Sequence, residues 1–356
     1  MTRLVVACLF LGLALALPAA QPPLRGFTNA AAVARVYDTI LDADFGNVAA
    51  RLDEACGPPV AALLPSDEGA PSEVCRVLEA MALWWQISLD PESRLRDADF
   101  TRAVEQAISG AAEWTRREPD RAEAWFYLGA AYGARSQWRV LRRERLAAAR
   151  DGNQIKAALE RSLTLDPDLR DANFGIGLYR YYADVAPAAL RMLRWLFLMP
   201  GGDREGGLAQ ITEARNHGQL VRGEADYQLH LIYLWYENRS VDALKLVYGL
   251  QARYPANPLF HHIEAEIHDV YGHDPEASFT ASARLLALAQ GRRIRDPALA
   301  SAQARLNMAI QADRMGDHAE AIALLESLIT ERPLRPFDAT RRAQTLLQAI
   351  KRKIAS

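Results

Sequence analysis

Residues 303–333, QARLNMAIQADRMGDHAEAIALLESLITERP, contain two amphipathic helical patterns joined by a turn at Gly316-Asp317. After the turn, the small residue Ala321 is followed by the large apolar residues Leu325 and Leu328 and then by Pro333. The alanine lets two helices approach closely, the leucines fill the groove between them, and the proline ends the second helix. This spacing therefore predicts a pair of antiparallel helices.

The same pattern occurs at two other places in the chain. A second copy of the spacing consists of Ala243, Val247, Leu250 and Pro255. A first-helix signature consists of Trp125, Leu128, Gly129 and Tyr132. Together these patterns resemble the tetratricopeptide repeat, in which helix pairs stack into a superhelix. The resemblance implies an all-α fold, a right-handed α-solenoid of antiparallel helix pairs with about 16 helices.

Composition agrees with a helical protein and argues against one class of partner. Half of the 356 residues are apolar, which is enough to build a core, and no long run alternates with the period of a strand. The formal net charge is −2, so there is no general electrostatic attraction to nucleic acid, and we expect no nucleic-acid partner. Short linkers favour one continuous superhelix over separable domains.

The N-terminus has the pattern of an export signal. Arg3 precedes the apolar run Leu4–Leu17, and Pro18-Ala19-Ala20 supplies small residues for cleavage. The apolar run is shorter than the ~20 residues that a transmembrane helix needs. We therefore predict a signal peptide at residues 1–20 and a periplasmic or secreted protein. The alternative is an anchor that is retained.

Two cysteines, Cys56 and Cys75, remain after removal of the predicted signal peptide. An exported protein meets an oxidising compartment, in which disulfides persist. A Pro- and Gly-rich segment separates the two residues, and closing this loop would stabilise the fold by on the order of 3 kcal/mol. We expect a disulfide here. The alternative is a pair of buried thiols.

The rest of the chain divides into three parts. Residues 21–119 are predicted to form degenerate helical repeats, residues 120–335 the solenoid, and residues 336–356 a capping helix. Within the solenoid we expect an inserted apolar helix at 187–199. We also expect one elongated helix over Arg121–Arg150, which contains the arginines Arg139, Arg142, Arg143, Arg145 and Arg150.

The centre of the chain shows a second resemblance. A Gly-rich helix with Gly175 and Gly177 precedes the apolar insert, and the start Gly202-Asp203-Arg204 opens the next helix. This arrangement resembles the tetratricopeptide-repeat 39 / Iml2-like family over roughly residues 170–335. The resemblance implies a non-enzymatic scaffold and no known ligand. From the residues themselves, Gly202-Asp203-Arg204 is a turn followed by a helix N-cap.

In tetratricopeptide repeats the first helix of each pair lines the concave wall. That register predicts a groove for a protein or peptide partner, because an apolar floor with scattered polar groups suits such a segment. Its predicted residues are Phe126, Gln228, Trp235, Tyr236, His262, Glu266, Asp269, Asp313 and Arg314. The alternative is that Trp235 and Tyr236 belong to the core between repeats.

Two other functions stay open at this point. His261, Glu264 and His268 fall on one helical face, which suggests a metal site and a metal-dependent hydrolase using His261–Asp269. The segment lacks the HExxH pattern, so a polar helix face is the simpler interpretation, and we predict no catalytic residue and no cofactor. The second alternative is a scaffold that makes peripheral contact with a membrane through residues 187–199 and the arginines.

Overall fold

The computed structural model describes residues 25–57, 69–185 and 202–355, so the predicted signal peptide and the predicted helix at 187–199 lie outside the described residues. The described residues form fifteen α-helices and no strand, and successive helices pack together as an α-solenoid. In chain order the helices are α1 (Ala30–Leu41), α2 (Val48–Cys56), α3 (Ser72–Ser88), α4 (Asp97–Arg117), α5 (Ala122–Leu141), α6 (Arg145–Leu165), α7 (Ala172–Val185), α8 (Arg204–His217), α9 (Arg222–Trp235), α10 (Ser240–Arg253), α11 (Pro258–Glu266), α12 (Pro275–Gln290), α13 (Pro297–Met315), α14 (His318–Glu331) and α15 (Ala339–Ala355). A π-helical turn, Ile267–Tyr271, continues α11. None of the described helices is both long and apolar enough to cross a membrane.

The repeat spacing is visible in the packing of the helix pairs. Ala321, Leu325 and Leu328 of α14 are fully buried, and so are the corresponding Ala243, Val247 and Leu250 of α10. The Asp317 carboxylate caps α14 by accepting a hydrogen bond from the Glu320 amide at 3.0 Å. The predicted helix–turn–helix pairs are therefore confirmed, because the residues of the spacing fill the contacts between helices.

Glycines allow the closest approach between two helices, at the crossing of α7 and α8. A Cβ atom added to Gly177 would lie 2.6 Å from the carbonyl oxygen of Gly207. A Cβ atom added to Gly207 would lie 2.7 Å from the carbonyl oxygen of Gly177. Both obstacles are backbone atoms, which cannot rotate away as a flexible side chain does. The crossing therefore requires glycine on both helices.

Gly177→Ala is expected to lower the free energy of unfolding by about 1–3 kcal/mol, because the added methyl group forces two packed backbones apart. Gly249→Ala in α10 is a matched control, since nothing lies within 4 Å of its added Cβ atom. This control should stabilise the protein by about 0.5–1 kcal/mol through its helix propensity. Urea unfolding followed by circular dichroism measures both changes. Equal effects of the two substitutions would contradict the close crossing.

The predicted elongated helix over Arg121–Arg150 is wrong. Helix α5 ends at Leu141, the following turn includes Arg143 with a left-handed φ of 66°, and α6 begins at Arg145. The Arg142 guanidinium donates to the Asp97 carboxylate at 2.7 and 2.8 Å and to the carbonyl oxygens of Pro91 and Ser93 at 2.6 and 2.8 Å. These contacts hold the chain against the start of α4, so the turn is fixed by distant residues.

The first helices of the chain lie inside the superhelix. The Tyr254 hydroxyl donates to the Asp38 carboxylate at 2.9 Å, and the side-chain amide of Asn257 donates to the Leu41 carbonyl oxygen at 2.6 Å. The Trp85 ring of α3 packs edge-on against Tyr227 of α9, with 4.9 Å between centroids. A single cluster of buried side chains includes residues from α1 to the π-helical turn. The two parts predicted as 21–119 and 120–335 therefore share one core.

The C-terminal helices also reach back to the beginning of the chain. The side-chain amide of Gln303 in α13 donates to the Leu89 carbonyl oxygen at 3.2 Å. The backbone amide of Phe337 donates to the Asp90 carboxylate at 3.0 Å. The last helix, α15, buries Ala343 and Ile350 against α13 and α14 and exposes its basic face. It covers the apolar end of the last repeat, as a terminal cap must.

A disulfide joins Cys56 at the end of α2 to Cys75 in α3, with 6.4 Å between the two Cα atoms. The bridge fixes the two helices across the segment between them. For a chain made without residues 1–20, which contain Cys8, we expect no free thiol in the denatured state before reduction and two after it, measured with a thiol reagent. Two free thiols without a reductant would show that the bridge is absent in solution.

Candidate functional site

Two residues of the predicted groove are covered by the chain itself. Phe126 is 4% exposed, and its ring packs edge-on against Phe27 with 4.8 Å between centroids. Gln228 is 6% exposed, and its amide donates to the Gln137 side chain of α5 at 2.8 Å. Because these side chains already have partners within the chain, neither is available to a protein or peptide in this structure. That they contact a partner stays a prediction, and such contact would require these packed side chains to move.

The N-terminal segment Gly26–Thr28 occupies the wall of α5 where a peptide was expected. The Gly26 amide donates to the Asp166 carboxylate at 2.8 Å. The Thr28 amide and hydroxyl donate to the two oxygens of the Glu123 carboxylate at 2.9 and 2.8 Å. Burial raises the pKa of the Glu123 carboxyl, while hydrogen bonds from Arg121 and Thr28 act in the opposite direction. The segment is therefore held on α5 and the loop after α6 by hydrogen bonds to two carboxylates.

The charged residues of the predicted groove, between α11 and α14, lie close to other polar side chains of the same chain. His262 lies 3.6 Å from the Glu266 carboxylate, and Arg314 forms an ion pair with Asp269. Asp313 accepts a hydrogen bond from Lys353 of the last helix at 3.2 Å. These residues form a polar surface in which Asp269 and Asp313 already have a cationic partner within the chain. Surface pairs of this kind contribute little to stability.

Trp235 and Tyr236 are the predicted groove residues whose aromatic rings are most accessible. Trp235 is 60% exposed and Tyr236 is 43% exposed, at the C-terminal end of α9. The Tyr236 ring packs edge-on against Tyr181 and Tyr182 of α7, with 5.9 and 5.8 Å between centroids. We call Trp235 and Tyr236, which lie in front of these two tyrosines, the aromatic surface. Trp235 is not part of a core between repeats.

An ion pair and a helix cap hold the aromatic surface in place. The Arg204 guanidinium donates two hydrogen bonds to the Glu237 carboxylate, at 2.8 and 2.6 Å. The Tyr181 hydroxyl donates to the same carboxylate, and the Arg204 guanidinium keeps the pKa of Glu237 below its usual value. Burial and the hydrogen bond to Glu237 raise the pKa of Tyr181. The loop after α9 is thereby fixed to the start of α8.

The motif Gly202-Asp203-Arg204 acts as predicted, as a turn followed by an N-cap. The Asp203 carboxylate accepts a hydrogen bond from the Gly206 amide at 2.9 Å. Gly202 lies against the backbone of Asp184, where an added Cβ atom would be 2.0 Å from the amide nitrogen. This close contact brings the start of α8 beside the end of α7. The motif therefore orients Arg204 toward Glu237.

The metal hypothesis is not supported by the geometry of α11. Among residues 25–57, 69–185 and 202–355, no group of three or more His, Cys, Asp or Glu side chains lies close enough to hold a metal ion. Glu264 is buried and forms an ion pair with Arg284 and a 2.9 Å hydrogen bond with Gln251. His261 faces the Pro255 carbonyl oxygen at 3.1 Å, and burial lowers its pKa. Glu264 and His261 thus have separate structural partners.

Two buried ionisable side chains of α9, Glu224 and His230, were not predicted. The Glu224 carboxylate of α9 accepts a hydrogen bond from Gln137 at 3.3 Å, and burial raises its pKa to about 7. His230, one turn and a half along α9, is also buried, and burial lowers its pKa to about 4. The signal in the sequence was Glu224, which lies one turn before Gln228 on the face of α9 that the repeat register assigns to the inner wall.

Comparisons with known proteins find no family and solved structures of low similarity. No protein-family model matches the chain, and no curated protein matches it. A structure of a monomeric mutant of IFIT1 with Gppp-AAAA is 13% identical, with a TM-score of 0.41, over 80% of this chain and 57% of that chain. Yeast Tom70 is 14% identical, with a TM-score of 0.34, over 89% of this chain and 70% of that chain. The chain spans little more than half of the IFIT1 chain. Both are helical-repeat proteins, and likeness at this level carries no inference about function.

Proposed function

We propose that this chain is a non-enzymatic helical-repeat scaffold that binds a protein partner through the aromatic surface. The observation that carries the proposal is the 60% exposure of Trp235 next to Tyr236, whose ring is held by Tyr181 and Tyr182. Exposed Trp and Tyr side chains supply large contact areas with little loss of conformational freedom, and they are enriched at interface hot spots. A surface that is already ordered lowers the cost of association.

The remainder of the inner wall supports this choice of surface. Phe126 and Gln228 are covered by the chain's own residues, and Asp269 and Asp313 have a cationic partner within the chain. The aromatic surface is thus the part of the predicted groove that is both apolar and open. A partner that presents an apolar segment fits this surface best, because burial of apolar area provides the driving force.

The proposal includes export to the periplasm or the medium. It is supported by the apolar run Leu4–Leu17 after Arg3 and by the Cys56–Cys75 disulfide, since such bonds persist in oxidising compartments. The relation to the tetratricopeptide-repeat 39 / Iml2-like family also belongs to the proposal. It rests on the glycines at the crossing of α7 and α8 and on the cap at Asp203.

Photo-crosslinking tests the aromatic surface directly. A photoreactive phenylalanine analogue placed at Trp235 is expected to capture one defined protein in the cells that make this chain. The same analogue at Val241, which is also exposed but lies on α10, is the matched control. Capture should be lost when Tyr236→Ala is added to the Trp235 probe. Equal capture from both positions would contradict the proposal, and circular dichroism checks that each variant is folded.

A further inference from the structure

A cavity of about 390 Å³, open to solvent, lies at the surface between α5 and α6, and no residue of the aromatic surface lines it. Its wall contains Arg135 and Arg139 of α5 and Arg150, Asp151 and Gln154 of α6, together with Tyr132. The turn at Arg142–Glu144 creates this arrangement, because it returns the chain and places the start of α6 beside the end of α5. The cavity is lined by three guanidinium groups and one carboxylate.

The carboxylate is already neutralised inside the wall. Asp151 is 2% exposed, and its oxygens accept hydrogen bonds from Arg135 at 2.6 and 3.2 Å and from Arg139 at 2.7 Å. One buried negative charge therefore holds two guanidinium groups in fixed positions. Glu105 and Glu144 approach the same arginines at 2.6 and 4.0 Å, and both are about half exposed and lie outside the cavity wall.

Arg150 lines the cavity and is exposed to solvent, as is Gln154. Within the described part of the chain, Arg150 forms no ion pair and no side-chain hydrogen bond. The Tyr132 hydroxyl and the Gln154 amide likewise have no hydrogen-bond partner among the described residues, although the Tyr132 ring packs under Arg135 at 5.1 Å. The side chains of Arg150, Gln154 and Tyr132 thus line the same cavity with hydrogen-bond donors that no other described residue uses.

We propose that the cavity between α5 and α6 binds a phosphate group through Arg150, Gln154 and Tyr132, beside the fixed Arg135–Asp151–Arg139 cluster. Guanidinium groups match the oxygens of a phosphate in pairs, and charge-assisted hydrogen bonds are the strongest of their kind. The cavity is wider than a single phosphate needs, so it has room for the group to which the phosphate is attached. A phosphate dianion is favoured over a monocarboxylate because it offers the unpaired Arg150 guanidinium a higher charge and more acceptor oxygens.

Isothermal titration calorimetry of the purified chain with inorganic phosphate tests this site. We expect binding to the wild type that weakens about tenfold or more in Arg150→Gln, since a hydrogen bond to a charged group is lost. Arg145→Gln is the matched control, because Arg145 is an exposed arginine of the same helix that does not line the cavity. Acetate at the same ionic strength should bind at least tenfold more weakly than phosphate.

The source of the phosphate is distinguished with vesicles that contain phosphatidic acid. Flotation of the wild type with these vesicles, lost in Arg150→Gln, would assign the site to a lipid headgroup. Phosphate binding without flotation would assign it to a soluble phosphate ester. The proposal is overturned if phosphate does not bind to the wild type, or if Arg145→Gln and Arg150→Gln weaken binding equally, because the effect would then be general electrostatic attraction.

Discussion

Trp85→Ala is expected to lower the free energy of unfolding by about 3–5 kcal/mol, the range for removing a fully buried tryptophan. Trp85 is 1% exposed and lies in α3, inside the superhelix. Its ring contacts Tyr227 of α9 at 4.9 Å and Phe260 of α11 at 6.1 Å between centroids. The substitution removes the contact that joins an early helix to two late ones. Guanidinium unfolding followed by circular dichroism measures the loss.

Trp235→Ala is the matched control for this experiment, because the same side chain is removed from an exposed position. We expect it to change the free energy of unfolding by about 0.5 kcal/mol or less. If Trp85→Ala were as mild as Trp235→Ala, α3 would not lie inside the superhelix, and the inner wall would be open to a partner. The pair of variants therefore separates the structural tryptophan from the one proposed to bind.

Glu224 is expected to make the protein less stable by about 3 kcal/mol at pH 8 than at pH 4.5. Burial raises the pKa of its carboxyl in the folded state to about 7, from 4.5 in the unfolded chain. Between these two values the folded protein keeps a proton that the unfolded chain has released. Stability therefore falls as the pH rises through this window, and the full loss is present above pH 7.

The measurement is the difference between the wild type and Glu224→Gln in urea unfolding at a series of pH values. Glutamine keeps the size of the side chain and does not titrate, so the variant should gain stability relative to the wild type as the pH rises. His230 has the opposite effect, because burial lowers its pKa to about 4 and stability is lost as the pH falls from 6.5. That contribution is shared by both proteins and cancels in the difference. Parallel profiles would contradict the prediction.

The helices could be predicted where local pattern decides them. The predicted turn at Gly316-Asp317 separates α13 from α14, because the Asp317 cap and the apolar periodicity both act within a few residues. The turn after α5 could not be predicted in this way. It depends on Arg142 reaching Asp97, and nothing near Arg142 in the sequence marks that contact.

The candidate site was predicted in part for a related reason. The repeat register places Phe126, Gln228, Trp235 and Tyr236 on the inner wall, but it takes no account of what fills the space in front of that wall. Phe27 covers Phe126, and α5 covers Gln228, from distant points in the sequence. The exposure of Trp235 depends on the same long-range packing. A local pattern indicates which side chains share a face and not which of them stay open.

The contacts between the first and last helices have a consequence for how the protein folds. A simple repeat array gains its stability from neighbouring units and can form from any point along its length. Here the Leu89 carbonyl oxygen accepts a hydrogen bond from the Gln303 side chain. The Asp90 carboxylate accepts one from the backbone amide of Phe337, 247 positions later in the chain. Contacts of such long sequence separation slow folding, because a long loop must close before they form. We expect slow folding and a single cooperative unfolding transition, in which the N-terminal helices become ordered only after the C-terminal helices have packed against them.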